Sequence, residues 1–229
     1  MAGIARRLGD WCDVRGKDVI DLGSGTGEVC KLAIECGARS VTGVNLSASE
    51  IAFAGRHSTT EFVCQDVVAF LAERTPDSID LIFALNILEH LDKNALVSLL
   101  DAAQRSLRPG GRLVAMVPNA TSPFGGITRY WDFTHQMAFT PSLVRQLMHL
   151  AGFGTVEFRE VGPIRHGLKS GIRYAAWQGI RQLIKAYFLI EKASPQGGIY
   201  TSDMMFRLTK SDAPRITRQD GQPPWGDPS

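Results

Sequence analysis

Asp21-Leu22-Gly23-Ser24-Gly25-Thr26-Gly27 follows the apolar pair Val19-Ile20 and sets three glycines at every second position behind an acid. Glycines directly after a strand let the chain turn tightly and let a ligand press against bare backbone. A dinucleotide fingerprint reads G-x-G-x-x-G and holds a pyrophosphate at the next helix N-terminus. Here the spacing is G-x-G-x-G, and the Asp21 carboxyl disfavours a pyrophosphate. It suits a ligand carrying positive charge and hydroxyls. A second group of reactive side chains comes later: His90, then Asp132 and His135 within Arg129-Tyr130-Trp131-Asp132-Phe133-Thr134-His135. Histidine exchanges its proton near neutral pH, so His135 and His90 are candidate bases for a hydroxyl nucleophile, with Asp132 to orient one of them. Each has a plainer reading: His135 and Asp132 as braces of their loop, His90 as a structural histidine opening a helix, with a pocket-lining role for His90 between that and proton transfer. Glu89, His90, Asp132 and His135 could also offer oxygen and nitrogen ligands, but no spacing demands a metal and none is expected.

Strand and helix signals alternate through residues 17 to about 160 and must position these groups. Expected strands cover Val19–Leu22, Ser40–Val44, Glu61–Cys64, Ile79–Leu85, Arg112–Val117 and Thr155–Val161, with a last one over Tyr200–Thr209. Helices are expected over Gly27–Cys36, from Ser47 as cap to about His57, over Asp92–Leu107 until Arg108-Pro109-Gly110-Gly111 breaks it, and over Pro141–Ala151. Repeated β-α-β units argue for a Rossmann-like, doubly wound sheet with helices on both faces. Such sheets bind ligands beyond the carboxyl ends of the strands. The segments to watch are therefore 21–28, 45–50, 65–68, 86–92 and 118–140.

The glycine loop resembles motif I of the class I S-adenosylmethionine-dependent methyltransferases. Leu88-Glu89-His90-Leu91 matches the L-E-H segment of many small-molecule methyltransferases, and Leu107-Arg108-Pro109-Gly110-Gly111 matches the L-x-P-G-G turn before the fifth strand. Together these motifs cover residues 17–118 in the family's order. The resemblance implies a seven-stranded sheet whose last strand is antiparallel. It also implies a cofactor shell of Asp21, Gly23, Ser24, Gly25 and Gly27 for the methionine part and Asn45 with Leu46 for the ribose. Asp66 with Val67 would meet the adenine, and Asn86 lies at the fourth strand's end. Asn45 departs from the family's acid at that place; an amide makes a weaker bond than a carboxylate, and Glu50 could help. Asp66 equally reads as the N-cap of the next helix. The segment from Asp132 to Gly152 more loosely resembles methyltransferases of bacterial surface-glycan biosynthesis.

The formal charge of +2 over 229 residues gives no argument for a nucleic-acid partner. Cys12, Cys30, Cys36 and Cys64 show no C-x-x-C pair and read as thiols of a reducing compartment. Met1 to Asp10 lacks a signal-peptide core, and no apolar run is long enough to span a membrane. A cytoplasmic location is expected. One domain is expected over residues 1–210, with a basic helical insertion at 163–193, followed by a disordered tail at 211–229. The insertion carries Arg173 among several cations and admits contact with an anionic substrate or a membrane surface. Arg129, Tyr130, Trp131 and Arg173 are the expected substrate-binding residues. The expected function is O-methylation of a sugar or glycan hydroxyl, on a nucleotide-linked or lipid-linked carrier. The alternatives are a small aromatic, quinone-like or carboxylate acceptor, or a protein that binds the cofactor without catalysis.

Overall fold

The computed structural model describes residues 2–56, 60–194 and 198–211. The expected disordered tail falls, apart from Ser211, outside the described residues. Seven strands form one sheet: β1 Asp18–Leu22, β2 Ser40–Asn45, β3 Glu61–Cys64, β4 Ile79–Leu85, β5 Leu107–Pro118, β6 Thr155–Glu160 and β7 Asp203–Thr209. Their order is β3-β2-β1-β4-β5-β7-β6. The first five pair in parallel. The last strand runs antiparallel and slots between β5 and β6, with Pro118 opposite Asp203 and Glu160 opposite Met204.

The helices are α1 Ala2–Leu8, α2 Glu28–Glu35, α3 Ala48–Gly55, α4 Val67–Ala72, α5 Lys93–Ser106, α6 Gly125–Tyr130, α7 Pro141–Ala151 and α8 Leu168–Lys192. One face of the sheet buries Val19, Val41, Leu81, Phe83 and Val114 under Leu8 and Trp11 near the N-terminus and Val29, Leu32 and Ala33 of α2. The other buries Ile20, Ile82, Leu113 and Phe206 under α4, α5 and α7. Strand residues that alternate between two apolar cores explain the apolar pair Val19-Ile20 of β1 and the apolar run 81–85 of β4.

The sequence differs from the structure at the Arg-Pro-Gly-Gly turn. It was expected to precede the fifth strand, which begins instead at Leu107 and carries the turn as an irregularity. The register shifts there, Ile79 pairing with Leu107 and Leu81 with Arg112. Arg108 draws the chain in, its guanidinium reaching Asp18 at 3.1 Å and Asp80 at 2.7 Å. Among the described residues no helix is long and apolar enough to cross a membrane.

Candidate active site

The carboxyl ends of β1, β2, β4 and β5 form one rim, and the expected site residues cluster along it. After β1, the amides of Gly23 and Ser24 both donate to the Val44 carbonyl, at 2.9 and 3.0 Å. Gly23, Gly25 and Gly27 all take positive φ, 71°, 49° and 82°, which only glycine adopts at no steric cost. A Cβ at Gly25 would meet nothing within 4 Å, so the loop backbone is open on that side. Ser24 Oγ is buried without a hydrogen-bond partner. Asp21, 2% exposed, accepts from the Cys30 thiol at 3.4 Å. Burial pushes its carboxyl up to about 7, and the thiol offsets part of that.

Around the rim, Asn45 Nδ2 donates to Glu50 Oε2 at 2.6 Å, joining the amide to the nearest acid. Leu46 is exposed and Val67 is buried. Asp66 Oδ1 accepts from the amides of Val68 and Ala69, both at 2.9 Å, so the capping reading of this acid holds. Asn86 is left-handed, φ 55°, and its amide donates to the Met116 carbonyl.

The structure brings His90, Asp132 and His135 together from segments more than 40 residues apart. The His90 and His135 rings stand edge to face with centroids 4.8 Å apart. Asp132 Oδ1 accepts from the Thr134 amide at 2.8 Å and from the Thr134 hydroxyl at 2.7 Å. Those bonds hold its carboxyl below the usual range, the Thr134 hydroxyl contributing most. The Thr134 hydroxyl spends its one O–H on a hydrogen bond to that carboxylate, so it accepts from His90 Nδ1 at 2.8 Å. His135 Nδ1 faces the Thr128 carbonyl at 3.1 Å and must donate to it. Both tautomers are therefore set, and each ring keeps a lone pair on Nε2. Desolvation lowers the His90 pKa, with His135 as the next cause. Asp132 thus reaches His90 through Thr134, while the charges of both His135 and His90 act on its carboxyl.

Glu89, read in the sequence as part of the L-E-H segment and as one possible metal ligand, is 1% exposed, and its Oε2 has no hydrogen-bond partner. Burial pushes its carboxyl up to about 7. One ligand atom from each of Glu89, His90 and His135 lies within 4.8 Å of the others. The Glu89 carbonyl accepts from the Gln136 amide at 2.7 Å, tying the two segments together. Asn119 was also missed. It is fully buried, donates to the carbonyls of Ile199 and Thr201, and accepts from the Thr121 amide. The Pro118-Asn119 pair after a strand was the one sequence signal for it.

The expected substrate residues divide. Arg129 donates to the Gln136 carbonyl at 2.8 Å and lies over the Tyr130 ring. Tyr130 and Trp131 stand out, 79% and 83% exposed. Arg173 belongs to a separate groove of about 570 Å³ between α8 and the start of β7, with Arg7, Phe124, Trp177, Tyr200 and Asp203. Asp203 links that groove to the histidines, since its charge interacts with both His135 and Glu89.

Residues 1–157 match a family model described as a methyltransferase domain. The chain is 32% identical over 112 residues to a ubiquinone biosynthesis O-methyltransferase of Pseudomonas aeruginosa; the match covers 45% of this chain and 47% of that protein. The chain thus spans about half the length of the curated relatives it matches. Among solved structures it resembles a SAM-dependent methyltransferase from Archaeoglobus fulgidus, with TM-score 0.68 and 20% identity over 90% of this chain and 93% of that one. It also resembles the 1,6-didemethyltoxoflavin-N1-methyltransferase of Burkholderia thailandensis, solved with that substrate and S-adenosylhomocysteine. There the TM-score is 0.58 at 19% identity, over 92% of this chain and 77% of that one.

Proposed function

The chain belongs to the methyltransferase-domain family, an S-adenosylmethionine-dependent class, and from that premise we propose that it methylates a hydroxyl oxygen presented to Glu89, His90 and His135. The donor loop fits the cofactor. It offers open backbone at Gly25, an unpartnered hydroxyl on Ser24 and a buried acid, Asp21, that gains from a cationic ammonium. Asn45 and Glu50 together supply the ribose with an amide and a carboxylate, which answers the missing acid at position 45. When bound, S-adenosylmethionine supplies a methyl carbon made electrophilic by a sulfonium.

The chain's own work is to hold the acceptor in line and to relieve its oxygen of a proton. Orientation alone is worth roughly 7–11 kcal/mol. The observation that carries the reading is the pair of preset imidazoles, whose Nε2 lone pairs are free because Thr134 and the Thr128 carbonyl hold the Nδ1 protons. Aromatic faces at Tyr130, Trp131 and Trp177 suit a sugar ring, and Arg7 and Arg173 suit a phosphate attached to it. The acceptor class is therefore a sugar or glycan hydroxyl on a phosphate-bearing carrier. A second reading, a small quinone-like phenol, draws on the named activity of the curated relative.

Calorimetry with S-adenosylmethionine and S-adenosylhomocysteine tests the donor. No binding at millimolar ligand overturns the proposal. Methyl transfer from labelled donor to nucleotide sugars, but not to phenols, supports the first acceptor class, and the reverse supports the second. Donor binding with no labelled product from either, or from glycans of a cell lysate, marks a binding protein without catalysis.

A further inference from the structure

We propose that Glu89, His90 and His135 form a site for one first-row divalent cation, which takes the acceptor's hydroxyl oxygen as a further ligand. The role given to the cation rests on the methyltransferase reading above; the binding site itself does not.

The first observation is the cluster. A single ligand atom from each residue lies within 4.8 Å of the other two. Nitrogen and carboxylate oxygen bind zinc at about 2.0–2.2 Å, so ligands of one ion lie within about 4.2 Å of each other. A small rotation of side chains closes that difference, and the Gln136 to Glu89 backbone bond already fixes the segments.

The second observation is independent. Glu89 Oε2 is buried, lacks any hydrogen-bond partner, and belongs to a side chain only 1% exposed. A buried carboxylate is tolerated when it is paired, hydrogen-bonded or bound to a metal. No cationic side chain among the described residues forms an ion pair with it, and the neighbouring charge that acts on it, Asp203, is of the same sign.

The third observation is the histidine wiring. Metal-bound imidazoles characteristically donate their second N–H to a carbonyl or a carboxylate-backed group, which fixes the ring and the tautomer. His135 donates to the Thr128 carbonyl, and His90 donates to Thr134, whose hydroxyl is backed by Asp132. Both Nε2 atoms keep the lone pair a metal requires. A proton-transfer histidine needs only one such atom. Two such imidazoles beside a carboxylate with one unpartnered oxygen make a donor set of two nitrogens and one oxygen.

Three protein ligands leave an open position, as in catalytic rather than structural sites. An acceptor hydroxyl entering that position loses its proton to solvent as its oxygen joins the cation. A cation lowers the pKa of a bound oxygen by many units, as it does for water. His90 and His135 are then ligands rather than bases.

Purified full-length protein, stripped with a chelator and dialysed, is titrated with Co²⁺ and Zn²⁺ by calorimetry, and with Co²⁺ by visible absorption. One equivalent should bind at micromolar concentration or below, with the intense visible bands of a four- or five-coordinate nitrogen and oxygen site. Glu89→Gln and His135→Ala, checked for folding by circular dichroism, should each weaken Co²⁺ at least tenfold. Thr134→Val, which removes the support of His90, should weaken it about tenfold. Stoichiometry below a tenth, or unchanged affinity in Glu89→Gln and His135→Ala, overturns the site. If Glu89→Gln does not fold, His135→Ala decides. Donor binding and transfer are measured on the stripped protein in parallel. Full transfer without any cation defeats this inference alone. Cation binding without donor binding defeats the methyltransferase reading and leaves the site standing.

Discussion

Replacing Asp21 with Asn probes the electrostatics of the donor loop. The acid is 2% exposed, and burial lifts its carboxyl from the ordinary 3.8 to about 7, against the lesser opposing effect of the Cys30 thiol. Below pH 3.8 it is protonated in folded and unfolded chain alike. Between pH 3.8 and about 7 the unfolded chain ionises and the folded chain resists. Stability therefore falls as pH rises through that interval, and the loss is complete above it. At about 1.4 kcal/mol per pH unit the loss reaches about 4 kcal/mol. Asparagine cannot ionise. Asp21→Asn should be more stable than the parent by up to about 4 kcal/mol at pH 8, with the gap closing toward pH 4. Urea unfolding of the ligand-free proteins across that range reads it. Donor binding works the other way, because a cationic ammonium favours the carboxylate. Near pH 6.5 the parent should release about three-quarters of a proton on binding S-adenosylmethionine, measured as a dependence of calorimetric enthalpy on buffer ionisation. The variant should release none and bind more weakly. A stability gap that does not change with pH, or equal proton release from both proteins, refutes the reasoning.

His135→Ala should lower turnover by about 10²–10⁴-fold, the usual share of proton removal from the acceptor, which is lost whether His135 takes that proton or ligates the cation that acidifies the hydroxyl, while calorimetry finds donor affinity unchanged; unaltered turnover removes His135 from the chemistry. Asn119→Ala strips three buried hydrogen bonds and should destabilise by roughly 2–4 kcal/mol, read in urea; a loss under 0.5 kcal/mol would mean that the loop after β5 does not depend on it. Trp131→Ala, at an 83% exposed position, should leave stability within about 0.5 kcal/mol and raise the acceptor KM severalfold; an unchanged KM excludes it from the acceptor site.

Much of this molecule was legible before its fold was known, for identifiable reasons. Strands such as Ile79–Leu85 and Glu61–Cys64 announce themselves because both faces are buried or turn residues bound them. The caps at Ser47, Asp92 and Thr140 carry local chemistry that a sequence displays. The helix α6 was not legible: Gly125-Gly126 argues against a helix, and no side-chain cap opens it. The tight start of β5 was missed because its cause, Arg108 between Asp18 and Asp80, spans 90 and 28 residues. The site divides the same way. The glycine loop is contiguous and readable. Asp66 reads in the sequence as a helix cap or an adenine contact, and the capping bonds are the ones the fold displays. The pairing of His90 with Thr134 and of Glu89 with His135 depends on two loops meeting, which spacing alone does not encode. Arg173, read in the sequence as part of the basic helical insertion, lines the groove beside α8.

Because β7 runs against its neighbours, it starts at the rim where β5 and β6 end, with Asp203 beside Pro118 and Met204 beside Glu160. The stretch between β6 and β7, including the whole of α8, leaves the sheet and returns to it at that one edge. Insertions, deletions or wholesale replacement there change the groove lined by Arg173, Trp177 and Asp203 and leave the pairing of the five parallel strands outside the exchanged stretch. The donor loop lies across the sheet, on β1 and β2, beyond the reach of such changes. Descent can thus revise what this scaffold modifies by exchanging a single cassette, while the inherited half that grips the donor folds as before.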